Sequence, residues 1–515
     1  MGTALPTSKP VAVIGAGTMG AGIAQIAASH GHPVQLHDMR FGAADEAKRQ
    51  MTRTFAGLVA KGRMQQSDAD AALARITTVV TLPDTCVAGL VIEAVVEELE
   101  AKRELFASLE NVIAEDCILA SNTSSLSITA LAAGLRHPER VVGMHFFNPA
   151  PVMPLVEVVH GLATSPQVAD DVHATAKAWG KMPVHARSTP GFIVNRCARP
   201  YYGEALRLLN ERAASAATLD AILRECGGFR MGPFELMDLI GHDVNFAVTR
   251  SVWEAYFNDP RYTPSVLQQE LVAAGYLGRK TGRGFFRYGD GAPAISADTL
   301  PTERAPKRVT VSGDIAHLAA LIDRLASSGI AIERDSRETR WGSTALRIDD
   351  DAEGAVLALT DGRTATDLAM ETRTPNVVLF DHALDFATCM RFAVARADGC
   401  SDAAFASAVG TLQATGAAVS GIEDVPGMAV LRTLAMLINE ACDAALQGVA
   451  DAPAIDLAMK KGVNYPRGPF EWARALGPAR VREALTHLGH YYGEDRYRVS
   501  PLITRRAPSG RQLDG

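Results

Sequence analysis

Long apolar runs are missing from this chain: none approaches the roughly 18 uninterrupted residues that a membrane-spanning helix needs. Cysteine is sparse. The seven (Cys86, Cys117, Cys197, Cys226, Cys389, Cys400 and Cys442) are scattered, odd in number and without a C-x-x-C pair. That pattern supports neither a metal site nor a disulfide framework, and predicts reduced packing residues in a cytoplasmic protein. Positive charge is not in excess: 51 Lys and Arg against 58 Asp and Glu leave a formal charge of −7, which argues against nucleic acid as a partner. The opening MGTALPTSKP has no apolar core of the kind a secretory signal needs, so none is expected. What is present, 47% hydrophobic and 21% charged residues over 515, fits a globular protein. The length suggests roughly three or four domains.

The first motif comes at once. Val11–Gly20 reads VAVIGAGTMG, an apolar strand feeding a turn with Gly15, Gly17 and Gly20 at G-x-G-x-x-G spacing. In that pattern the first glycine permits a tight turn, the second lets backbone approach a pyrophosphate, and the third lets helix pack on strand. Gly15, Gly17, Thr18, Met19 and Gly20 would then face the diphosphate over the N–H groups of a helix N-terminus. A small-residue helix (21–29) follows, and Gly31 ends it. The second strand, 33–37, finishes at Asp38, where an acid binds the adenosine ribose 2′-hydroxyl. Asp38 would repel a 2′-phosphate, which favours NAD; Arg40, two residues on, leaves NADP as the alternative.

Helices at 43–60 and 67–74 lead to a strand near 76–81, and strand–helix alternation continues through LVIEAVVEELEAKRELF, CILASNTSS, VVGMHFFNP and LVEVVHG. Such alternation indicates a Rossmann-type doubly wound α/β sheet. From about residue 189 the pattern turns helical. TPGFIVNRCARPYYGEA at Thr189 then resembles VPGMAVLRTLAMLINEA at Val425: Gly191 and Gly427, Glu204 and Glu440, and the two GPFE segments at Gly232 and Gly468 are all 236 positions apart. The helical domain is therefore duplicated. Upstream of its second copy, RVTVSGDIAHLAALIDRL resembles a worn first Rossmann unit. Gly313 takes the place of Gly15, but Ile315 and Leu318 replace Gly17 and Gly20 and would block a pyrophosphate. Four domains are expected: 1–188, an NAD-binding Rossmann domain; 189–297, a helical domain; 305–420, a degenerate Rossmann-like domain without a cofactor site; and 421–515, a second, inactive helical domain.

Polar residues stand at strand ends, where open parallel sheets place ligands. SNTSS (121–125) follows one strand, and His145 lies in another just before Asn148. Glu157 interrupts the apolar run LVEVV, and burying it needs a partner. Two readings stand on these residues alone. His145 and Glu157 form a general base oriented by an acid, or His145 is a satisfied core histidine and Glu157 points to solvent.

GAGTMG, VVEELEAKRELF, ASNTSSL, HFFNPAPVMPLVEVV, TPGFIVNR, MGPFELMDLIG and LGRKTGRGFF, in order from Val11 to about Tyr288, resemble the NAD-dependent 3-hydroxyacyl-CoA dehydrogenase family. The tandem helical domain resembles its longer bacterial members. The resemblance implies oxidation of (S)-3-hydroxyacyl-CoA to 3-oxoacyl-CoA. The implied acyl group is short or dicarboxylic (3-hydroxybutyryl or 3-hydroxyadipyl), in fatty-acid or phenylacetate catabolism. It makes His145 the base and Glu157 its partner, and gives Ser124 and Asn195 the substrate oxygens. Glu97, Lys102 and Lys280 become cofactor contacts, and Asn148, Thr54 and Lys61 substrate or CoA contacts. Position 431, which matches Asn195, is leucine, so the second half is expected to be inactive and to supply packing surface, as an internal pseudo-dimer or within a homo-oligomer. The alternatives are a related β-hydroxyacid dehydrogenase acting on a free acid and a non-catalytic CoA- or NAD-binding protein.

Overall fold

The structure, a computed structural model, describes residues 2–313, 315–335, 345–348 and 354–515. The chain falls into two compact units, Met1–Arg196 with Ala444–Val463, and Cys197–Asp443 with Asn464–Gly515.

The first unit is built on an eight-stranded sheet: β1 (Val11–Ile14), β2 (Val34–His37), β3 (Ile76–Val79), β4 (Leu90–Glu93), β5 (Ile118–Ser121), β6 (Val141–Phe146), β7 (Leu155–His160) and β8 (Met182–Arg187). Their order is β3-β2-β1-β4-β5-β6-β7-β8. All neighbours are parallel except β6 and β7, which form an antiparallel pair. β1, β4 and β6 are buried throughout, as strands covered by helices on both faces must be, and their continuous apolar runs follow from that. The helix Thr18–Ser29 starts earlier than its small-residue run suggests, because Gly17 is its extended N-cap and adds a first turn. β8, which the sequence pattern did not reveal, lies at the sheet edge and alternates half-buried and buried residues between exposed ends.

In the second unit most of the two helical copies pack together. The guanidinium of Arg432, fully buried, donates to Glu204 at 2.7 Å and to Glu211 at 3.1 Å. Phe229, Tyr465 and Trp472 form an aromatic cluster beside them. The second sheet consists, among the described residues, of β9 (Arg308–Ser312), β10 (Ala331–Asp335), β11 (Ala345–Ile348), β12 (Ala355–Leu359), β13 (Val377–Phe380), β14 (Arg391–Arg396) and β15 (Ala418–Gly421), ordered β10-β9-β11-β12-β13-β14-β15. Three antiparallel pairs make it more mixed than the first. The degenerate copy keeps the turn glycines in left-handed backbone, Gly313 at φ 86° and Gly329 at 92°, against 103° at Gly15 and 96° at Gly31. It has lost the phosphate cradle. Leu318 is fully buried where Gly20 would stand, a 3₁₀ turn (Ala316–Leu318) replaces the first α-turn, and the helix starts only at Ala319.

Each helical copy lays one helix on a sheet. Ala216–Glu225 packs on β14, and Ala452–Gly462 packs on β7 and β8. Equivalent backbone bonds tie them down, Glu423 N to Ala213 O and Arg187 N to Val449 O, both 2.8 Å, with donors and acceptors each 236 positions apart.

Candidate active site

The three glycines of the turn differ in surroundings as their roles require. A Cβ on Gly15 would lie 2.4 Å from the Ala94 carbonyl oxygen, and one on Gly20 would lie 1.8 Å from the Gly15 oxygen, so strand, turn and helix approach too closely for side chains. Around Gly17 a Cβ would meet nothing within 4 Å, which is the open side a diphosphate needs. Asp38 sits against this turn, its carboxylate accepting from Ala16 N at 2.7 Å and Arg40 N at 2.9 Å. These features fit a dinucleotide with an unmodified ribose.

At the ends of β4 and β5 lies a buried ion cluster. Lys102, 1% exposed, donates to Glu93 at 2.6 Å and reaches Glu97 at 3.2 Å. Ser121 Oγ donates to the other Glu93 oxygen at 2.6 Å. Glu97 Oε1 in turn accepts from Thr123 Oγ1 at 2.7 Å, Ser124 N at 2.8 Å and Ser124 Oγ at 3.2 Å. Burial would raise the Glu97 pKa, but Lys102 and the Thr123 and Ser124 donors hold it below the ordinary carboxylate range. Glu97 therefore stays ionised and fixes the SNTSS loop. The Lys102 ammonium is committed to two carboxylates, so its influence on a ligand runs through Glu97.

The antiparallel register of β6 and β7 places His145 directly opposite Glu157. Such pairs bring side chains within contact, and His145 Nδ1 meets Glu157 Oε2 at 2.7 Å. An ionised carboxylate only accepts, so Nδ1 carries the proton and Nε2 presents a lone pair. Glu157 is fully buried, and its second oxygen accepts Ile193 N and Val194 N, each at 3.0 Å. Those amides point inward because Gly191 and Phe192 both take left-handed backbone (φ 76° and 47°). One residue further, Asn195 Nδ2 donates to the Ser124 carbonyl at 3.2 Å. The Phe147 ring lies 4.5 Å from the imidazole, and Phe192 crosses it edge-on at 5.9 Å.

His145, Glu157, Ser124 and Asn195 thus converge, and the solvent-pointing reading of Glu157 is excluded. Asn148 is exposed on the loop after β6, next to a cis peptide bond with Pro149. Thr54 is exposed and donates to Gln50 O of its own helix at 3.0 Å, and Lys61 caps that helix's C-terminus, also exposed; no described contact links either to the His145 cluster. Lys280 belongs to the second unit and pairs with Asp243 at 2.5 Å. Glu93 escaped the sequence reading, although IEA within LVIEAV carries the same signal that singled out Glu157: an acid in an apolar strand.

The second copy answers the same geometry differently. β14 pairs with β15 as β7 pairs with β8, Arg391 beside Ala418 and Leu155 beside Met182, each again 236 apart. Ala393 therefore takes the place of Glu157. Asp381, whose N–H donates to the Ala393 carbonyl at 3.1 Å, takes the place of His145. Its fully buried carboxylate accepts Ala429 N, Val430 N, Leu431 N and His382 N at 2.6–3.0 Å. The clamp on the turn survives; the imidazole does not.

Residues 10–189 match the model of the 3-hydroxyacyl-CoA dehydrogenase NAD-binding domain, residues 191–288 and 427–512 that of the C-terminal domain of the same enzymes, and residues 357–426 that of the 3-hydroxybutyryl-CoA dehydrogenase reduced Rossmann-fold domain. The chain is 44% identical over 499 residues to the 3-hydroxyadipyl-CoA dehydrogenase of Escherichia coli K12, covering 97% of each. It is 40% identical over 286 residues to the human mitochondrial hydroxyacyl-coenzyme A dehydrogenase, covering 54% of this chain and 91% of that one. A crystal structure of a 3-hydroxybutyryl-CoA dehydrogenase from E. coli K12 superposes with a TM-score of 0.88 at 43% identity, over 98% of this chain and 99% of that one.

Two stability outcomes follow from the paired clamps. Glu157→Ala orphans two buried N–H groups and should cost about 2–4 kcal/mol in urea unfolding of the first unit, with Glu157→Gln costing clearly less; equal losses would contradict the clamp. Asp381→Ala should destabilise the second unit by a similar, order-of-magnitude amount, about 2–4 kcal/mol, and leave the NADH dissociation constant unchanged; a weakened NADH affinity would contradict the separation of the two clamps.

Proposed function

Since the chain belongs to the NAD-dependent 3-hydroxyacyl-CoA dehydrogenase family, we propose how its own residues carry the oxidation of the 3-hydroxyl. The observation that supports this most directly is the His145–Glu157 contact of 2.7 Å, which commits Nδ1 and leaves Nε2 free to accept. His145 Nε2 takes the hydroxyl proton as the C3–H bond gives up its hydride. Bound NAD supplies the hydride acceptor. Glu157 balances the imidazolium that forms, in surroundings where an unpaired charge would be costly. Asn195 and Ser124 hold the substrate oxygens and stabilise the carbonyl as it develops.

Gly15, Gly17, Thr18, Met19 and Gly20 seat the diphosphate, Asp38 the adenosine ribose, and Glu97, positioned by Lys102, the nicotinamide ribose. Lys280 joins the cofactor set, and Asn148, Thr54 and Lys61 the substrate and CoA contacts. The division into domains at 1–188, 189–297, 305–420 and 421–515 is part of the same reading, with chemistry confined to the first half. The acyl group is proposed to be 3-hydroxybutyryl or 3-hydroxyadipyl, on the strength of the E. coli proteins of those names, with phenylacetate or fatty-acid breakdown as the setting. Arg196, buried and donating to Gln447 Oε1 at 2.9 Å, holds the turn beside Asn195. No described helix is long and apolar enough to cross a membrane, and the seven cysteines are free; a cytoplasmic location accords with both. The packing of the helical copies on each other supports an internal pseudo-dimer.

His145→Ala should lower kcat for NADH-dependent reduction of acetoacetyl-CoA by about 10²–10⁴-fold with unchanged NADH affinity by calorimetry; retained turnover would refute the assignment. The native protein should favour NADH over NADPH, and Asp38→Ala should narrow that preference by about tenfold by relieving repulsion of the 2′-phosphate. An unchanged ratio would remove Asp38 from the ribose site.

A further inference from the structure

The turn at the end of β2 carries the marks of both nicotinamide cofactors. Asp38 is the acid that takes an unmodified adenosine ribose, and Arg40, two residues on, is the kind of side chain that accepts a 2′-phosphate in sheets of this type. The two are fixed to each other. Asp38 Oδ1 accepts from Arg40 N at 2.9 Å, and its second oxygen accepts from Ala16 N of the glycine turn at 2.7 Å. The backbone of Arg40 therefore stands against the ribose acid, and its side chain alone decides where the positive charge goes.

That charge goes to Glu46. Arg40 Nη2 donates to Glu46 Oε2 at 2.9 Å. The hydrogen bond raises the Arg40 pKa and holds the Glu46 carboxyl below its ordinary range. Among the described residues Glu46 is the one carboxylate within ion-pair distance of Arg40. Met39 and Phe41, on either side of the arginine, are 89% and 91% exposed and apolar, so they give it no acceptor. Local structure puts Glu46 within reach. Arg40 O accepts from Ala43 N at 3.1 Å, and Gly42, in left-handed backbone at φ 79°, is the N-cap of the helix Ala43–Ala60. The chain thus passes from Arg40 straight into a helix whose first turn carries Asp45 and Glu46. A helix N-terminus favours an anion. Here the chain supplies its own: Asp45 accepts from Thr78 Oγ1 of β3 at 2.7 Å, and Glu46 takes the arginine.

We propose that Glu46 is a positioning residue for cofactor choice: by holding the Arg40 guanidinium on the helix, it withholds from NADP the cation that would receive a 2′-phosphate. This inference rests on the assignment of Asp38 to the adenosine ribose. Preference for NAD is then set twice, by an acid that meets the ribose and by a second acid that occupies the arginine. The pair is exposed, with 69% of the Arg40 side chain and 60% of the Glu46 side chain open to solvent, so it holds weakly. The discrimination that Glu46 adds is correspondingly modest, and one neutral substitution removes it. Arg40 is in this sense the cation of a latent NADP site, engaged elsewhere.

The test is calorimetric titration of NADH and of NADPH into the full-length native protein and into Glu46→Ala, Glu46→Gln, Arg40→Ala and Glu46→Ala/Arg40→Ala. Glu46→Ala should raise the affinity for NADPH relative to NADH by about fivefold, the upper end of what an exposed ion pair is worth. Glu46→Gln should act in the same direction and less, because its amide oxygen still accepts from Arg40. NADH affinity itself should stay as it is in both, and the gain in NADPH affinity should be lost when Arg40 is alanine. An unchanged ratio of the two affinities in Glu46→Ala would overturn the proposal. So would a gain as large in the Arg40→Ala background, since Glu46 would then act by repulsion alone and not through the arginine. Equal affinity of the native protein for NADH and NADPH would instead refute the assignment of Asp38 to the ribose.

Discussion

A carboxylate taken out of water is stable only if donors replace the solvent it leaves, and Glu157 finds three: His145 Nδ1 and the N–H groups of Ile193 and Val194. The donors come from two different stretches of chain. The histidine stands on the neighbouring strand, and the amides belong to the turn that leaves the sheet for the helices. One buried group therefore fixes the imidazole tautomer, the relation of β6 to β7, and the path of the chain into Asn195. Its cost falls on every alternative arrangement, because withdrawing any donor leaves charge or N–H groups unsatisfied in the interior. The proposed catalytic geometry and the packing of the first unit rest on the same atoms.

The second copy separates these two duties. There the clamp on the turn is kept by Asp381, which lies at the histidine's register position, while Ala393 stands where Glu157 would be. A carboxylate reaching across from the other strand satisfies the same amides, so the turn is preserved with no imidazole at all. Burial pushes the Asp381 pKa up to about 6 even with backbone donors around it, so holding the turn carries an electrostatic cost here too. Leu431 in place of Asn195 completes the loss. Both copies keep the clamped turn, and only the first adds the imidazole.

Much of this was legible in the sequence wherever the cause is local. The three turn glycines differ in structure as their spacing predicts: two are too crowded for a side chain and one faces open space. The alternation of strands and helices, and the constant offset of 236, give the doubled architecture. Glu157 was only half legible. An acid in an apolar strand signals a buried partner, but strand register decides who the partner is, and register is set by pairing across the sheet. Lys102 shows the same limit from the other side: a lysine that looks available beside a cofactor proves to be neutralised by Glu93, a residue nine positions away and on another element. Asp381 and the segment Ala444–Val463 were out of reach, because both depend on which surface a repeated element docks against. A repeat announces its own shape and says nothing of its neighbour.

That docking gives the duplication its physical sense. The helix Ala216–Glu225 lies on β14 and its later counterpart Ala452–Gly462 lies on β7 and β8, each anchored by an equivalent backbone bond. β8 is the edge strand of its sheet, and covering an edge is a standing need of an open α/β sheet. The second copy meets that need with a helix whose last residue abuts the surroundings of His145. The second copy has neither the imidazole, the amide nor the glycine cradle of the first, and it keeps this docking surface. The positions equivalent to His145 and Asn195 are Asp381 and Leu431, while Gln447 and Val449 of the same copy hold Arg196 and Arg187 of the first unit.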